Sequence, residues 1–464
     1  MYGASYLSTM ETPRMWIEPV VAVAQIASSF YDTALLMVVR NHYNKTINKQ
    51  DIPTNSSVDD VLQKAISNFY IFYNVIMGLT PTLSAYILAK IADKTSRKVT
   101  LCVPLLGYLL SRMFLLFIII WEWPIEVMFG SAALNGLTGW FTSYWAGVMA
   151  WASLCSSERR RSMRLIIIEM VYGLAGFVGS LLSGHIFVNL NFANQEGTIL
   201  ICCSCGCYAF CFLYSLFVLR TPGEDHCSES RSLLKDTNNT TVQADSRNES
   251  TPVSPCRLIL ITMFTSAVLF NIAFTASDDV INVFVLKAPL SWGPVEVGYG
   301  NAAAYMTYLT SFLGVFIFNR CMGDLGLIAI GIVSFSSGLL IMAFVRWTYM
   351  YYIARVVMMF SQIATPTIRS VISKQIQGSS YGKVFVVLQL AIEIVAVSSS
   401  AGFNKLYQAT LDWYSGFCFL VFSSLGFLSI IPIGLAACHK CSSVCQRNTR
   451  DTANQSQTAE ASSS

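Results

Sequence analysis

Twelve apolar runs of about 20 residues, each able to cross roughly 30 Å of hydrocarbon as a helix, limit what this chain can fold into. Lipid offers the backbone no hydrogen bonds, so a span must be a helix or part of a closed barrel. Unbroken runs of this length are helices. They lie at roughly 16–39, 66–90, 99–121, 125–153, 165–188, 198–219, 257–286, 295–318, 325–345, 348–372, 383–403 and 413–437. The fourth and seventh are long and are expected to tilt or extend past the bilayer. Charged residues make up only 12% of the 464, about half the share of a soluble domain. The fold class is an all-α polytopic membrane protein, with twelve transmembrane helices in two six-helix halves.

The halves are residues 16–219 and 257–438. Between them, 220–256 is rich in Ser, Thr, Asn and charge, and is expected to be a disordered cytoplasmic linker. Residues 1–15 form a cytoplasmic N-terminus and 439–464 a polar cytoplasmic tail. Arg14 and Glu11 precede the first span without a small-residue cleavage site, so that span reads as a retained helix. With the N-terminus inside, the inner segments hold 21 Lys and Arg and the outer segments seven. That bias sets the orientation and assigns the net charge of +4 to the cytoplasmic leaflet rather than to nucleic acid. The sequons at Asn44 and Asn55 then face outward as glycosylation sites. The 14 cysteines leave none in a predicted external loop. The group from Cys202 to Cys211 is expected to pack as small apolar side chains.

Charge within the spans is ordered. Glu169 interrupts Leu165-Ile166-Ile167-Ile168 and Met170-Val171, where an ionised group costs about 2.5–3.5 kcal/mol on insertion scales. Gln25, Ser28 and Asp32 share one helix face by spacing. Glu169 does so with Gly173, Gly176, Ser180 and Gly184, and Asn271 with Thr275, Asp278 and Asn282. Arg355, Gln362, Thr365 and Arg369 follow, then Gln389, Glu393 and Ser400. Five aligned faces suggest a shared cavity, with helix–helix adhesion the alternative for the neutral groups. Asp32, Glu169 and Arg369 are assigned to a cavity or gate. Adjacent Asp278 and Asp279 must point to different faces. Arg112 lies outside any stripe and reads equally as a carboxylate's partner or a ligand contact. His185 is expected at the interface.

The loop Ala89-Lys90-Ile91-Ala92-Asp93-Lys94-Thr95-Ser96-Arg97-Lys98 resembles a motif of the major facilitator superfamily. There Asp93, Arg97 and Lys98 would hold a cytoplasmic gate. Arg164-Leu165-Ile166-Ile167-Ile168-Glu169 with Gly176-Phe177-Val178-Gly179-Ser180, Ala288-Pro289-Leu290-Ser291-Trp292, and Thr365-Pro366-Thr367-Ile368-Arg369-Ser370 are similar to the proton-coupled folate transporter family of that superfamily. The resemblance covers about residues 14–438. It implies a major facilitator fold that moves organic anions inward with protons, Glu169 as the coupling carboxylate and Arg369 as a cavity arginine. Two departures set the chain apart from the folate branch. Trp140 stands where that branch has an acidic residue. Ser291 stands where it has one cysteine of a disulfide between the first and fourth external loops.

The expected function is proton-coupled symport of a bulky organic anion (muropeptide, cyclic dinucleotide or antifolate-like) by alternating access. Asp32 and Glu169 carry the proton, and Arg369, Asn271, Asp278, Gln362 and Glu393 meet the substrate. Protons are the coupling ion and no other cofactor is expected. The partners are the small organic anion, protons and the lipid bilayer, with no nucleic acid polymer. The alternatives are a non-transporting receptor or scaffold, and an uncoupled facilitator or exchanger. No nucleotide loop, metal constellation or catalytic triad supports an enzyme. The plasma membrane is the expected location. An acidic dileucine pattern at Glu229, Leu233 and Leu234 brings in the endolysosomal membrane second.

Overall fold

A computed structural model describes residues 16–47, 58–94, 98–154, 158–190, 197–219, 257–318, 321–375, 381–411 and 413–439. Among them nine helices are long and apolar enough to cross a membrane. The remaining three expected spans are a fourth and a tenth built from shorter pieces, and an eleventh formed by Tyr381–Thr410. In order, the helices are α1 (Glu18–Ile47), α2 (Val58–Lys94), α3 (Val99–Trp121), α4 (Val127–Leu137), α5 (Trp140–Leu154), α6 (Glu158–Asn189) and α7 (Thr198–Leu213). A π-helical turn, Tyr214–Val218, ends α7. Then come α8 (Arg257–Phe284), α9 (Pro294–Phe318), α10 (Asp324–Ala343), α11 (Thr348–Val357), a 3₁₀ segment Met358–Ile363, α12 (Ala364–Gln375), α13 (Tyr381–Thr410) and α14 (Phe417–Leu428).

The chain divides into two compact units. Unit 1 is Met1–Val253 with Asn282–Leu309, and unit 2 is Ser254–Ile281 with Thr310–Ser464. In unit 1, α1 is the central helix, with 72% of its apolar window buried. Small and hydroxylated residues let its neighbours come close. Ser204 Oγ donates to the Ala27 carbonyl at 2.7 Å, and Thr33 and Ser183 share a hydrogen bond of 2.8 Å. Val20, Val21, Ala24 and Ala27 of α1 join Leu101, Leu105, Val148 and Trp151 in one buried cluster.

The fourth span, expected to be one long tilted helix, is two helices. Gly139 (φ 95°) and Trp140 (φ 41°) both take left-handed backbone between them. Glycine enters that region freely, whereas a side chain there costs about 1–2 kcal/mol. Packing of the Trp140 indole on the buried cluster offsets this. At the break the Gly136 carbonyl accepts from the Gly139 N–H at 2.9 Å and from Ser84 Oγ of α2 at 2.6 Å.

Unit 2 shows a second break, in the tenth span. Helix breaks survive in lipid only where other groups satisfy the freed backbone, and three hydroxyls do so here. Thr310 and Ser311 both donate to the Met359 carbonyl, at 2.7 and 2.9 Å. Ser311 also accepts from the Gln362 N–H at 3.1 Å. Ser334 donates to the Val357 carbonyl at 2.6 Å and accepts from the Phe360 N–H at 3.2 Å. Six residues at three per turn rotate the later helix by about 120° relative to a continuous α-helix, which moves Arg369 from about 40° on one side of Arg355 to about 80° on the other and keeps Gln362 and Thr365 between them.

Candidate functional site

The polar face of α1 is realised in unit 1. Gln25 Nε2 donates to the Tyr305 hydroxyl at 2.7 Å. Ser28 hydrogen-bonds the Tyr208 hydroxyl. Asp32 is exposed and close enough to act electrostatically on the hydroxyls of Tyr31, Tyr108, Tyr172 and Tyr208. An exposed carboxylate on an otherwise enclosed helix identifies the side on which unit 1 is open.

Behind Asp32 lies a group that sequence reasoning placed only loosely. Arg112 is 3% exposed, although it carries a permanent charge. Its guanidinium carbon sits 4.0 Å from the ring centroid of Tyr31, 4.7 Å from that of Tyr108 and 4.8 Å from that of Tyr208. Cation–π attraction of about 2 kcal/mol or more in a desolvated site helps hold it there. Among the described residues its Nε and Nη1 nevertheless have no hydrogen-bond partner. Each unsatisfied buried donor costs about 1–3 kcal/mol, and more when charged. The tyrosines recover only part of that cost.

An aromatic ladder adjoins the open side. Phe141 stacks on Trp145 at 5.5 Å, and Trp145 meets Tyr172 edge-on at 5.1 Å. Tyr172 in turn contacts Tyr305 and Tyr308, each at 6.2 Å between centroids. None of these rings was singled out in the sequence, because each reads locally as an ordinary apolar residue of its span.

Glu169 is exposed on α6 and, among the described residues, has no hydrogen-bond or ion-pair partner. The small residues on its face serve close helix packing. A Cβ on Gly176 would come within 2.5 Å of the Tyr305 ring, and one on Gly184 within 2.4 Å of the Pro294 carbonyl oxygen. This stretch of the stripe is therefore helix–helix contact, with Glu169 at its open end. Farther along α6, His185 and the Tyr299 hydroxyl lie 2.8 Å apart.

In unit 2, Asp278 and Asp279 point to different groups, as adjacency requires. Asp278 is exposed and feels the charge of Arg355, whose Nε donates to the Tyr351 hydroxyl at 2.9 Å. Asp279 accepts from Ser400. Asn271 spends its amide on its own helix, donating to Ala267 O at 2.7 Å. Gln362 is half-buried in the 3₁₀ segment, and Arg369 is exposed on α12. The Glu393 side chain lies outside the described residues.

Of the gating residues, Lys98 Nζ donates to Leu216 O at 3.3 Å. The Asp93 side chain and Arg97 lie outside the described residues. So do Asn55, Glu229, Leu233 and Leu234. A pair not anticipated joins the start of α1 to α6: Arg164 Nε lies 3.3 Å from Glu18 Oε1. Asn44 is exposed but helical, within the last turns of α1 rather than in a loop.

The Major Facilitator Superfamily profile matches residues 21–324. Solute carrier family 46 member 2 of Canis lupus familiaris is 46% identical, over 95% of this chain and 96% of its own length. The human lysosomal proton-coupled steroid conjugate and bile acid symporter SLC46A3 is 28% identical, over 81% of each chain. Among solved structures, a D-xylose–proton symporter superposes with a TM-score of 0.64 at 11% identity, covering 90% of this chain and 96% of that one. The human organic anion transporter MFSD10 gives 0.57 at 12% identity, covering 91% and 100%. These distant structures bear on the fold alone.

Proposed function

Because the chain belongs to the Major Facilitator Superfamily and, within it, to solute carrier family 46, the proton-coupled folate transporter family, we propose that it carries bulky organic anions into the cytosol together with protons. Membership makes it a membrane transporter rather than an enzyme. Glu169 carries the finer reading. It is an open carboxylate inside a membrane span with no cationic partner among the described residues. Near the start of the apolar stretch Ile167–Asn189 its ionised form costs less than the ~2.5–3.5 kcal/mol of a helix centre, and taking up a proton removes that cost. A group with this property favours one access state when charged and the other when neutral.

In this reading Asp32 and Glu169 take the coupling proton, and Arg369 attracts the substrate oxyanion. Asn271, Asp278, Gln362 and Glu393 add polar contacts, while Asp93, Arg97 and Lys98 hold the cytoplasmic gate. The ladder from Phe141 to Tyr308 offers ring faces to a bulky scaffold. The name of the human relative adds steroid conjugates and bile acids to the muropeptides, cyclic dinucleotides and antifolates expected from the resemblance. The plasma membrane is the proposed location, with the endolysosomal membrane second.

The test is uptake of labelled estrone sulfate, taurocholate and a muropeptide into proteoliposomes with and without an inward proton gradient. Glu169→Gln is compared with wild type. Wild-type accumulation driven by the gradient, and its loss in Glu169→Gln, are expected. Equal stimulation in both removes Glu169 from coupling. Binding without accumulation favours a receptor, and uptake indifferent to the gradient favours a facilitator.

A further inference from the structure

We propose that Arg112, with Tyr31, Tyr108 and Tyr208, forms a pocket in unit 1 for the oxyanionic head of the transported solute: a carboxylate, sulfate or phosphate. The inference rests on the organic-anion reading above and names where unit 1 would grip the anion.

The missing partner is specified by the donors. Nε and Nη1 of Arg112 are buried without acceptors among the described residues, and between them they leave N–H donors on both the side-on and the end-on edges of the guanidinium. Carboxylate, sulfate and phosphate oxygens match such a fork in spacing and charge. The tyrosines cover the guanidinium with ring faces, at 4.0, 4.7 and 4.8 Å. They steady the cation without supplying the in-plane acceptors its edge lacks. Tyr31 instead shares its hydroxyl with Tyr73 at 3.0 Å, and Tyr208 shares its own with Ser28.

Access and size restrict the ligand further. Asp32 is exposed and acts on the hydroxyls of the same three tyrosines, so the pocket borders the open side of α1. Arg112 itself is 3% exposed, which leaves no face of it open to a bulky scaffold. Phe141, Trp145 and Tyr172 of the aromatic ladder pack against the buried cluster that contains Tyr108 and Tyr208. An anionic head at Arg112 would therefore leave an attached ring system beside those rings. A structural arginine would need none of this, and a charge buried only for stability is poorly chosen, since apolar replacements of buried ions are often neutral or stabilising.

The experiment uses the purified full-length chain in lipid nanodiscs and reads thermal unfolding by intrinsic fluorescence. Estrone sulfate, neutral estrone and inorganic sulfate are the probes. Wild type is expected to melt several degrees higher with estrone sulfate and to be unmoved by estrone. A shift with inorganic sulfate alone identifies the head group as sufficient. Arg112→Met is expected to melt no lower than wild type without ligand and to lose the estrone sulfate shift. Arg112→Lys should keep a reduced shift, and Tyr108→Phe should keep most of it. A shift that survives in Arg112→Met overturns the proposal, as does an unliganded Arg112→Met that melts several degrees lower. No wild-type shift with either anion also overturns it. Anion binding that depends on Arg112 in a protein showing no uptake would sink the transport reading and leave the pocket standing. Proton-driven uptake unchanged in Arg112→Met would do the reverse.

Discussion

Lys287, on the stretch after α8, is ion-paired with Asp60 in the first turn of α2. Two neighbouring contacts reinforce the tie within unit 1. Arg40 Nη1 donates to the Trp292 carbonyl at 2.7 Å, and Gln63 donates to the Val283 carbonyl. The folate branch is expected to join the corresponding external loops by a disulfide, so polar contacts hold this chain where a covalent bond is absent. Lys287→Met should cost at most about 1 kcal/mol, because the pair is partly exposed. Arg40→Met should cost about 1–3 kcal/mol, since it strips a charged donor from the carbonyl of buried Trp292. Melting curves in detergent check both, and added reductant should leave the wild-type curve in place.

The hydroxyls at the break in the tenth span make a separate prediction. Ser311→Ala leaves the Gln362 N–H without its acceptor and should cost about 1–3 kcal/mol. Ser424→Ala removes an exposed hydroxyl bonded within its own helix and should be silent. Fluorescence-detected size-exclusion chromatography after heating separates the two outcomes.

Helix approach in unit 1 sets a third. Gly184→Ala drives a methyl to within 2.4 Å of backbone, whereas a Cβ on Gly206 meets nothing within 4 Å. Backbone cannot swing aside as a side chain does, so Gly184→Ala should lower the melting temperature by several degrees. Gly206→Ala should not change it.

Asp32 supplies the pH dependence. An ionised Asp32 beside the tyrosines around Arg112 opposes a bound anion, and a protonated one does not. Anion binding should therefore be stronger in acid than at neutral pH. Asp32→Asn fixes the neutral form. It should bind estrone sulfate at neutral pH on the order of tenfold more tightly than wild type, from about 1–2 kcal/mol of repulsion at an effective dielectric near 20. Its binding should vary less with pH than that of wild type, and scintillation proximity titrations across pH measure both effects.

How much of this was legible in the sequence depended on whether one helix carried the signal. Gln25, Ser28 and Asp32 share a face because 3.6-residue spacing requires it, and Glu169 stands out because lipid tolerates charge so poorly. The Arg112 pocket gathers Tyr31, Tyr108 and Tyr208 from three spans, and no local period links them. The first break has a local signal in Gly136 and Gly139, though glycine is also ordinary in continuous membrane helices. The second has none: Pro366 lies beyond the 3₁₀ segment, and Met358–Ile363 contains neither glycine nor proline. Only its hydroxyl partners on α9 and α10 account for it.

Spans four and ten occupy the same place in their respective six-span halves, and both are jointed rather than continuous. In each, neighbouring hydroxyls already hold the backbone groups that bending would expose: Ser84 at one joint, Thr310, Ser311 and Ser334 at the other. Flexing these rods therefore leaves fewer backbone groups bare in lipid than bending an unbroken helix would. A cycle that alternates between two openings would have its compliant points built in at mid-membrane, so a stiff half could yield locally around its cargo while its outer helices stay in register with the bilayer.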